Sequence, residues 1–315
     1  MILSREVYKR MKRGNKVIIL GGNGFIGKNL SICLLKKGYD VYSFDCTLPD
    51  IAQKGINYIQ GDFFDESFLK ETIKDKDIVY HGVSTINPGN SNEFYMRGYE
   101  KDFIQTVKLC KLISELSIKL IFLSSGGTIY GTQSEQPIVE EALPRPINHY
   151  GNIKLCMENT MMTFAIQANA DIRIARISNP YGPGQDYTKG VGFIDAVIKK
   201  AMNGETVEVW GDGSIVRDYI YIEDTCQMLA LLATYNGKER IFNLSSGKGI
   251  CIKDIIEIIK EWYPQMKIKY KSKRSVDLEK IVLNNQKIMK LYNRKMVEIH
   301  EGIEQYYNTI KEREQ

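Results

Sequence analysis

The 315-residue sequence predicts an α/β protein built on a doubly wound parallel sheet with helices on both faces, followed by a smaller, mixed α/β lobe toward the C-terminus. Three observations carry this. Short β-branched runs alternate with helix-length stretches through the first half, the first of these runs stops at a cluster of glycines, and after Ser178 the texture changes to Gly/Pro/Tyr-rich loops with shorter, isolated strands. The first strand is expected at 16–20 (KVIIL), and the helix after it runs to Lys37, where Gly38 suits a helix stop. Further strands are expected at 41–44, 57–60, 77–81, 119–124 and 171–177. The two longest helical stretches, 93–116 and 149–168, suit either sheet cover or a homodimer surface. Loops follow at 179–184 and 211–214, and from 219 to 244 a strand, a helix and a strand return the chain to the first sheet. No internal repeat or low-complexity tract interrupts this order.

Composition narrows the classes of function. With 43% apolar residues the chain can bury a sizeable core. Lysine and arginine total 43 against 38 acidic residues, and part of the surplus sits in Arg5, Lys9, Arg10, Lys12 and Arg13, within a basic extension at 1–15. The remaining body is nearly charge-balanced, which argues against a binder of nucleic acid. Six cysteines (33, 46, 110, 156, 226, 251) include no C-x-x-C pair, and the three histidines, His81, His149 and His300, are scattered. No metal site or disulfide framework is expected, and reduced thiols fit a cytoplasmic protein. No stretch offers about 18 uninterrupted apolar residues, so no membrane span is expected.

The sharpest motif is Gly21-Gly22-Asn23-Gly24-Phe25-Ile26-Gly27, which follows an expected strand and opens an expected helix. Glycines at this point let the backbone turn tightly and approach a pyrophosphate, and the first helical turn offers it unpaired N–H groups and a positive dipole end. Gly21, Gly24, Phe25, Ile26 and Gly27 are therefore candidate dinucleotide contacts. Asp45 ends the second strand 21 residues beyond Gly24. A carboxylate there accepts from the ribose hydroxyls and repels a 2′-phosphate, which favours NAD over NADP. Asp62, just past the third strand, is placed to meet the adenine edge or to cap a helix.

Tyr150 and Lys154 stand four residues apart at the start of an expected helix and so emerge on one face. A phenol with an ordinary pKa of about 10 is a poor base at neutral pH, whereas a nearby ammonium and the positive nicotinamide stabilise its phenolate. Tyr150 is thus a candidate proton acceptor, with Lys154 beside it on the cofactor ribose. Ser84 and Thr85 follow the fourth strand, where open α/β sheets bind ligands, and are short enough to hydrogen-bond a sugar or simply a turn. His81, just before them, is expected to be packed and hydrogen-bonded.

Taken together and in order, the glycine loop 21–27, the segment 124–131 (SSGGTIYG), the pair in 150–154 (YGNIK) and the stretch 176–184 resemble the extended short-chain dehydrogenases, and within them the NAD-dependent epimerase/dehydratase family. Among its members the chain looks most like those that invert C4 of UDP-glucose or UDP-N-acetylglucosamine. The resemblance runs from about residue 16 to 284. It implies a Rossmann-type NAD domain at 16–178 with a return at about 219–245, and a nucleotide-sugar lobe formed by 179–218 and 246–315. It further implies NAD as cofactor, a nucleotide-sugar substrate, and Arg217, Arg274, Asp277 and Asn179 as substrate contacts, the two arginines gripping a diphosphate.

One position departs from the family pattern. The catalytic serine or threonine of the family aligns with Gly126. Ser125 and Thr128 flank it as replacements, with Thr128 favoured. The Asp-Glu pair of the family's dehydratases is replaced by Gly127 and Thr128, so elimination of water lacks its acid and base. The resemblance therefore implies C4 epimerisation; a reductase, an epimerase acting at another carbon, and a non-catalytic nucleotide sensor are the rival readings.

Overall fold

The computed structural model describes residues 16–272 and 278–314. The basic extension at 1–15, Arg274 and Asp277 lie outside the described residues. Seven strands form one sheet: β1 (Lys16–Leu20), β2 (Asp40–Asp45), β3 (Ile56–Gln60), β4 (Ile78–His81), β5 (Lys119–Ser125), β6 (Ile172–Ile177) and, far along the chain, β10 (Ile241–Leu244). Their order is β10-β6-β5-β4-β1-β2-β3, and every neighbouring pair is parallel. The expected doubly wound parallel sheet is therefore present.

The strands are β-branched and apolar because both faces are covered. Along β1, Val17 and Ile19 enter one core while Ile18 and Leu20 enter the other; Ile121 and Leu123 alternate with Leu120 and Phe122 in β5 in the same way. Helices Phe25–Lys36 and Ile222–Thr234 bring apolar residues to the first core, and Glu66–Ile73, Ile104–Leu116 and His149–Gln167 to the second. Strand order reverses at β1, which lies between β2 and β4. The chain thus leaves a crevice beyond the carboxyl ends of β1 and β4, the place where such sheets hold ligands.

The second half builds a smaller unit. Strand β9 (Val216–Tyr221) pairs parallel with β7 (Asn179–Tyr181) and with β13 (Lys280–Ile281), and antiparallel with β11 (Gly249–Cys251). Strands β8 (Thr206–Trp210) and β12 (Lys267–Lys271) make a separate parallel pair. Helices Phe193–Met202 and Ile252–Lys260 close a third core with Val207, Val209 and Tyr306. The return to the large sheet starts at the helix beginning with Ile222, not at Tyr219, because the strand carrying Tyr219 is claimed by the smaller sheet. Asp218 explains the capture. Its fully buried carboxylate accepts hydrogen bonds from Ser178 Oγ (3.3 Å), Ser246 N (2.9 Å), Ser246 Oγ (2.7 Å), Gly247 N (3.2 Å) and Leu283 N (3.2 Å), tying four segments together.

No helix among the described residues is long and apolar enough to cross a membrane.

Candidate active site

The glycine turn leaves β1 and closes on itself through Gly24 N to Gly21 O (3.1 Å), with Gly21 at φ +86°. A Cβ at Gly27 would lie 2.2 Å from Gly21 O and 2.8 Å from Gly22 Cα, so this glycine seats the helix on the turn. At Gly24 a Cβ would meet only Gly21 O, at 3.2 Å. That side is open for a pyrophosphate. The helix Phe25–Lys36 starts with no side-chain cap and no acidic residue in its first turn, which leaves its N-terminal donors to an anion. Phe25 and Ile26 are partly buried against the first core.

Asp45, at the end of β2, accepts from Asn23 N within the turn (3.0 Å) and, through its other oxygen, from Thr47 N (3.4 Å). Asn23 donates to Thr47 Oγ1 and Leu48 O, and its Oδ1 is buried with no partner among the described residues. An open cradle, free helix donors, an adjoining carboxylate and an unmatched acceptor together suit an adenosine diphosphate. Asp62 accepts from Phe64 N (2.9 Å), a local turn, while Asp65 caps the next helix by accepting from Phe68 N (3.0 Å).

Tyr150 and Lys154 lie in the first turns of helix His149–Gln167, which Asn148 caps by accepting from Gly151 N (2.8 Å). Gly151 lets this helix approach closely: a Cβ there would stand 2.5 Å from Thr128 O. The approach sets Tyr150 against the turn Gly126–Ile129 at the end of β5. Lys154 is 3% exposed, donates to Leu123 O (3.2 Å), and its Nζ lies 4.7 Å from the Phe122 ring centre and 5.6 Å from that of Tyr150. Burial pulls the Lys154 ammonium down to about 8 against the opposing charges of Asp102 and Glu158. Burial and then Asp102 push the Tyr150 phenol up to about 12. The phenol of the protein alone is thus weaker as an acid than the sequence reading supposes, because it is itself buried and feels the charge of a carboxylate.

The two hydroxyls flanking Gly126 are bonded to one another, Thr128 Oγ1 donating to Ser125 Oγ (2.9 Å). Thr128's proton is thereby spent and Ser125's remains to be given. A Cβ at Gly126 would lie 2.3 Å from Leu283 Cδ1 and 3.1 Å from Arg176 O, so a side chain there would enter the core and not the crevice. The expected gap in the catalytic pattern has no opening onto the site. A Cβ at Gly127 would instead approach Asn179, at 3.6 Å from its Oδ1.

On the substrate side, Ser84 Oγ donates to Ile86 O (2.8 Å) and Asp102 Oδ2 (3.0 Å), a structural duty. Thr85 gives its N–H to the same Asp102 oxygen (2.7 Å) and keeps a buried hydroxyl with no partner among the described residues. Asn179 donates to Asp218 O (2.8 Å), and partly buried Arg217 donates to Val216 O (2.9 Å). His81 is fully buried between Phe63 and Phe122, with its pKa lowered to about 3 by burial, so it is a neutral packed ring.

Sequence reasoning missed two features. Asp102, far from any motif, lies in the turn Gly98–Phe103 that packs on the helix of Tyr150 and Lys154, Asn152 donating to the Tyr99 hydroxyl (2.7 Å). Beneath Lys154, buried Glu158 pairs with Arg176 of β6 (2.7 Å) and accepts from Ser124 Oγ (2.6 Å), fixing the helix to the sheet. The spacing Tyr150, Lys154, Glu158, one helical turn each, was the available signal for the second.

A model of the "NAD dependent epimerase/dehydratase family" matches residues 17–245. The chain belongs to that family, and it is an NAD-dependent enzyme. It is similar to a putative UDP-glucose 4-epimerase of Methanocaldococcus jannaschii, 28% identical over 94% of this chain and 98% of that protein. It is also similar to a dTDP-4-dehydro-6-deoxyglucose reductase of Escherichia coli, 33% identical over 78% and 81%. Among solved structures, UDP-glucose 4-epimerase of Thermotoga maritima with UDP-glucose superposes with a TM-score of 0.89 at 25% identity, covering 95% of this chain and 100% of that one.

Proposed function

We propose that this chain epimerises a nucleotide-activated hexose, a UDP-sugar, at C4. The observation that carries the reading is the docking of the helix that bears Tyr150 and buried Lys154 on the end of β5, where Lys154 donates to Leu123 O (3.2 Å), Gly151 approaches Thr128 O, and Thr128 is bonded to Ser125. Bound beside Tyr150 and Lys154, NAD would supply the hydride acceptor and donor for C4, so that the sugar passes through a 4-keto form with no net redox change. Tyr150 receives the proton of the C4 hydroxyl and gives it back, and the Lys154 ammonium beside it stabilises the phenolate. Ser125, its oxygen already accepting from Thr128, presents its O–H to the sugar's 4-oxygen. Thr85's unmatched hydroxyl and Ser84 line the sugar side. Arg217 grips the diphosphate with Arg274, while Asn179 and Asp277 hold the sugar nucleotide, so the sugar can turn over without leaving. Asp45 and Asp62 contact the adenosine, and the glycine turn with Phe25 and Ile26 holds the dinucleotide.

In this reading residues 16–178 with the return at 222–245 hold the cofactor, and 179–221 with 246–315 hold the nucleotide sugar. Two copies meet through 93–116 and 149–168, where Phe94, Tyr95, Met96, Ile104 and Ile166 are exposed.

The Escherichia coli relative favours one alternative, a reductase that releases a reduced sugar from the same site. Incubation with UDP-glucose or UDP-N-acetylglucosamine and catalytic, unreplenished NAD, followed by NMR, separates the two. An epimerase turns over without consuming cofactor; one turnover per NAD, or none, rejects epimerisation.

A further inference from the structure

Asp102 is a buried carboxylate, 2% exposed, with unusual support. It lies in a π-helical turn, Gly98–Phe103, inserted ahead of the helix Ile104–Leu116. Such insertions bulge a helix and recur at functional sites. Here the bulge carries Asp102 against the loop after β4, where Oδ2 accepts from Thr85 N and Ser84 Oγ. Oδ1 is buried with no hydrogen-bond partner among the described residues. Among the described residues no ion pair within 4.0 Å neutralises the group. The turn that carries Asp102 packs on the helix of Tyr150 and Lys154: Asn152 Nδ2 donates to the Tyr99 hydroxyl (2.7 Å), and a Cβ at Gly98 would lie 2.5 Å from Ile153 Cδ1, so Lys154 and Tyr150 both feel the Asp102 charge. Glu158, one turn beyond Lys154, is already matched by Arg176. His81 reaches Asp102 only through Thr106, which donates to Asp102 O (2.7 Å) and sits 2.9 Å from His81 Nε2; since Thr106's proton is used, His81 gives its Nε2–H to Thr106 and stays uncharged. A buried carboxylate oxygen without a donor favours a positive group that joins the site.

We propose that Asp102 is an electrostatic positioning residue that makes this site prefer oxidised over reduced nicotinamide cofactor. The proposal rests on the reading of the crevice as the NAD site, with the nicotinamide beside Tyr150 and Lys154. The adenosine, ribose and diphosphate contacts are common to both redox forms, and only the nicotinamide ring loses its positive charge on reduction. A carboxylate held on the turn packed against the Tyr150–Lys154 helix therefore discriminates between the two forms while leaving the rest of the binding unchanged. The consequence for chemistry is specific. A site that favours the oxidised form rests ready to accept hydride and returns it readily to the sugar, as a cycle without net redox change requires, whereas a reductase gains from the opposite bias.

The test is equilibrium dialysis of the full chain against equimolar NAD+ and NADH, with the nucleotide in the protein compartment quantified by mass spectrometry. The wild type is expected to hold an excess of NAD+, and Asp102→Asn, which keeps the shape and can still accept from Thr85 N, is expected to lower the NAD+:NADH ratio about tenfold, close to 1.4 kcal/mol. A ratio unchanged within about twofold in a folded variant, or loss of both nucleotides in equal proportion, overturns the proposal. Should the variant fail to fold, the wild type still decides, since an excess of NADH on it also overturns the proposal. A wild type that holds neither nucleotide removes the NAD reading of the crevice as well, and so distinguishes that failure from failure of Asp102's role alone.

Discussion

Tyr150 is the residue on which the proposed chemistry turns. Replacing it with phenylalanine keeps the ring and removes the proton-carrying oxygen. Turnover of UDP-hexose should fall about 10³-fold while NAD retention is unchanged; preserved turnover in the NMR assay would show that another group moves the proton. Ser125 and Thr128 separate by the direction of their hydrogen bond. Ser125→Ala should cost about 10²-fold in kcat and Thr128→Ala clearly less, since the first removes the donor and the second only its support. Lys154 links function to stability. Its folded pKa of about 8 lies below the ordinary 10.5, so the unfolded chain holds that proton more tightly. The group's contribution to stability is therefore fully present above about 10.5 and is lost as pH falls through about 8. Lys154→Met should raise stability at pH 7 by at most about 3 kcal/mol, abolish turnover, and flatten the rise in stability between pH 8 and 10 that the wild type shows in urea titrations.

At the scale of elements, the helix His149–Gln167 owes its position to three features of differing visibility. Asn148 caps it, a choice evident from the residue type once the helix start is known. The Glu158–Arg176 pair anchors it to β6, and Gly151 lets it press on Thr128 O. Gly151→Ala puts a methyl 2.5 Å from a backbone oxygen, so helix or turn must shift. We expect a loss of about 1–3 kcal/mol in stability together with a drop in kcat out of proportion to any change in KM, because the shift separates Tyr150 from Ser125. An unchanged kcat would mean that this close approach has no bearing on the chemistry. The strands of the large sheet were readable from their β-branched runs because both faces are buried, which leaves little room for polar residues. Strand Val216–Tyr221 was harder to assign. Its destination depends on the partners of Asp218, which come from 178, 246, 247 and 283.

For the whole molecule, the parallel sheet places the glycine turn and the start of helix His149–Gln167 at the same edge, although more than a hundred residues separate them. A ligand held there bridges segments remote in sequence and binds the folded state alone. NAD at about 100 times its dissociation constant should therefore stabilise the chain by about 2.7 kcal/mol, readable as a rise in the thermal midpoint. No rise with NAD, with or without UDP-sugar, would remove the cofactor site from the crevice.

The sequence by itself determined the parallel sheet, the glycine turn with its carboxylate at Asp45, and the placing of Tyr150 and Lys154 on one helix face. These follow from local periodicity and fixed spacing, which short-range geometry enforces. Only the tertiary structure decided that Ser125 and Thr128 share a hydrogen bond, that position 126 faces the core, and that the turn of Asp102 packs on the helix of Tyr150 and Lys154. Those facts depend on where a strand end points and how a bulged helix is pressed inward, and long-range packing sets both.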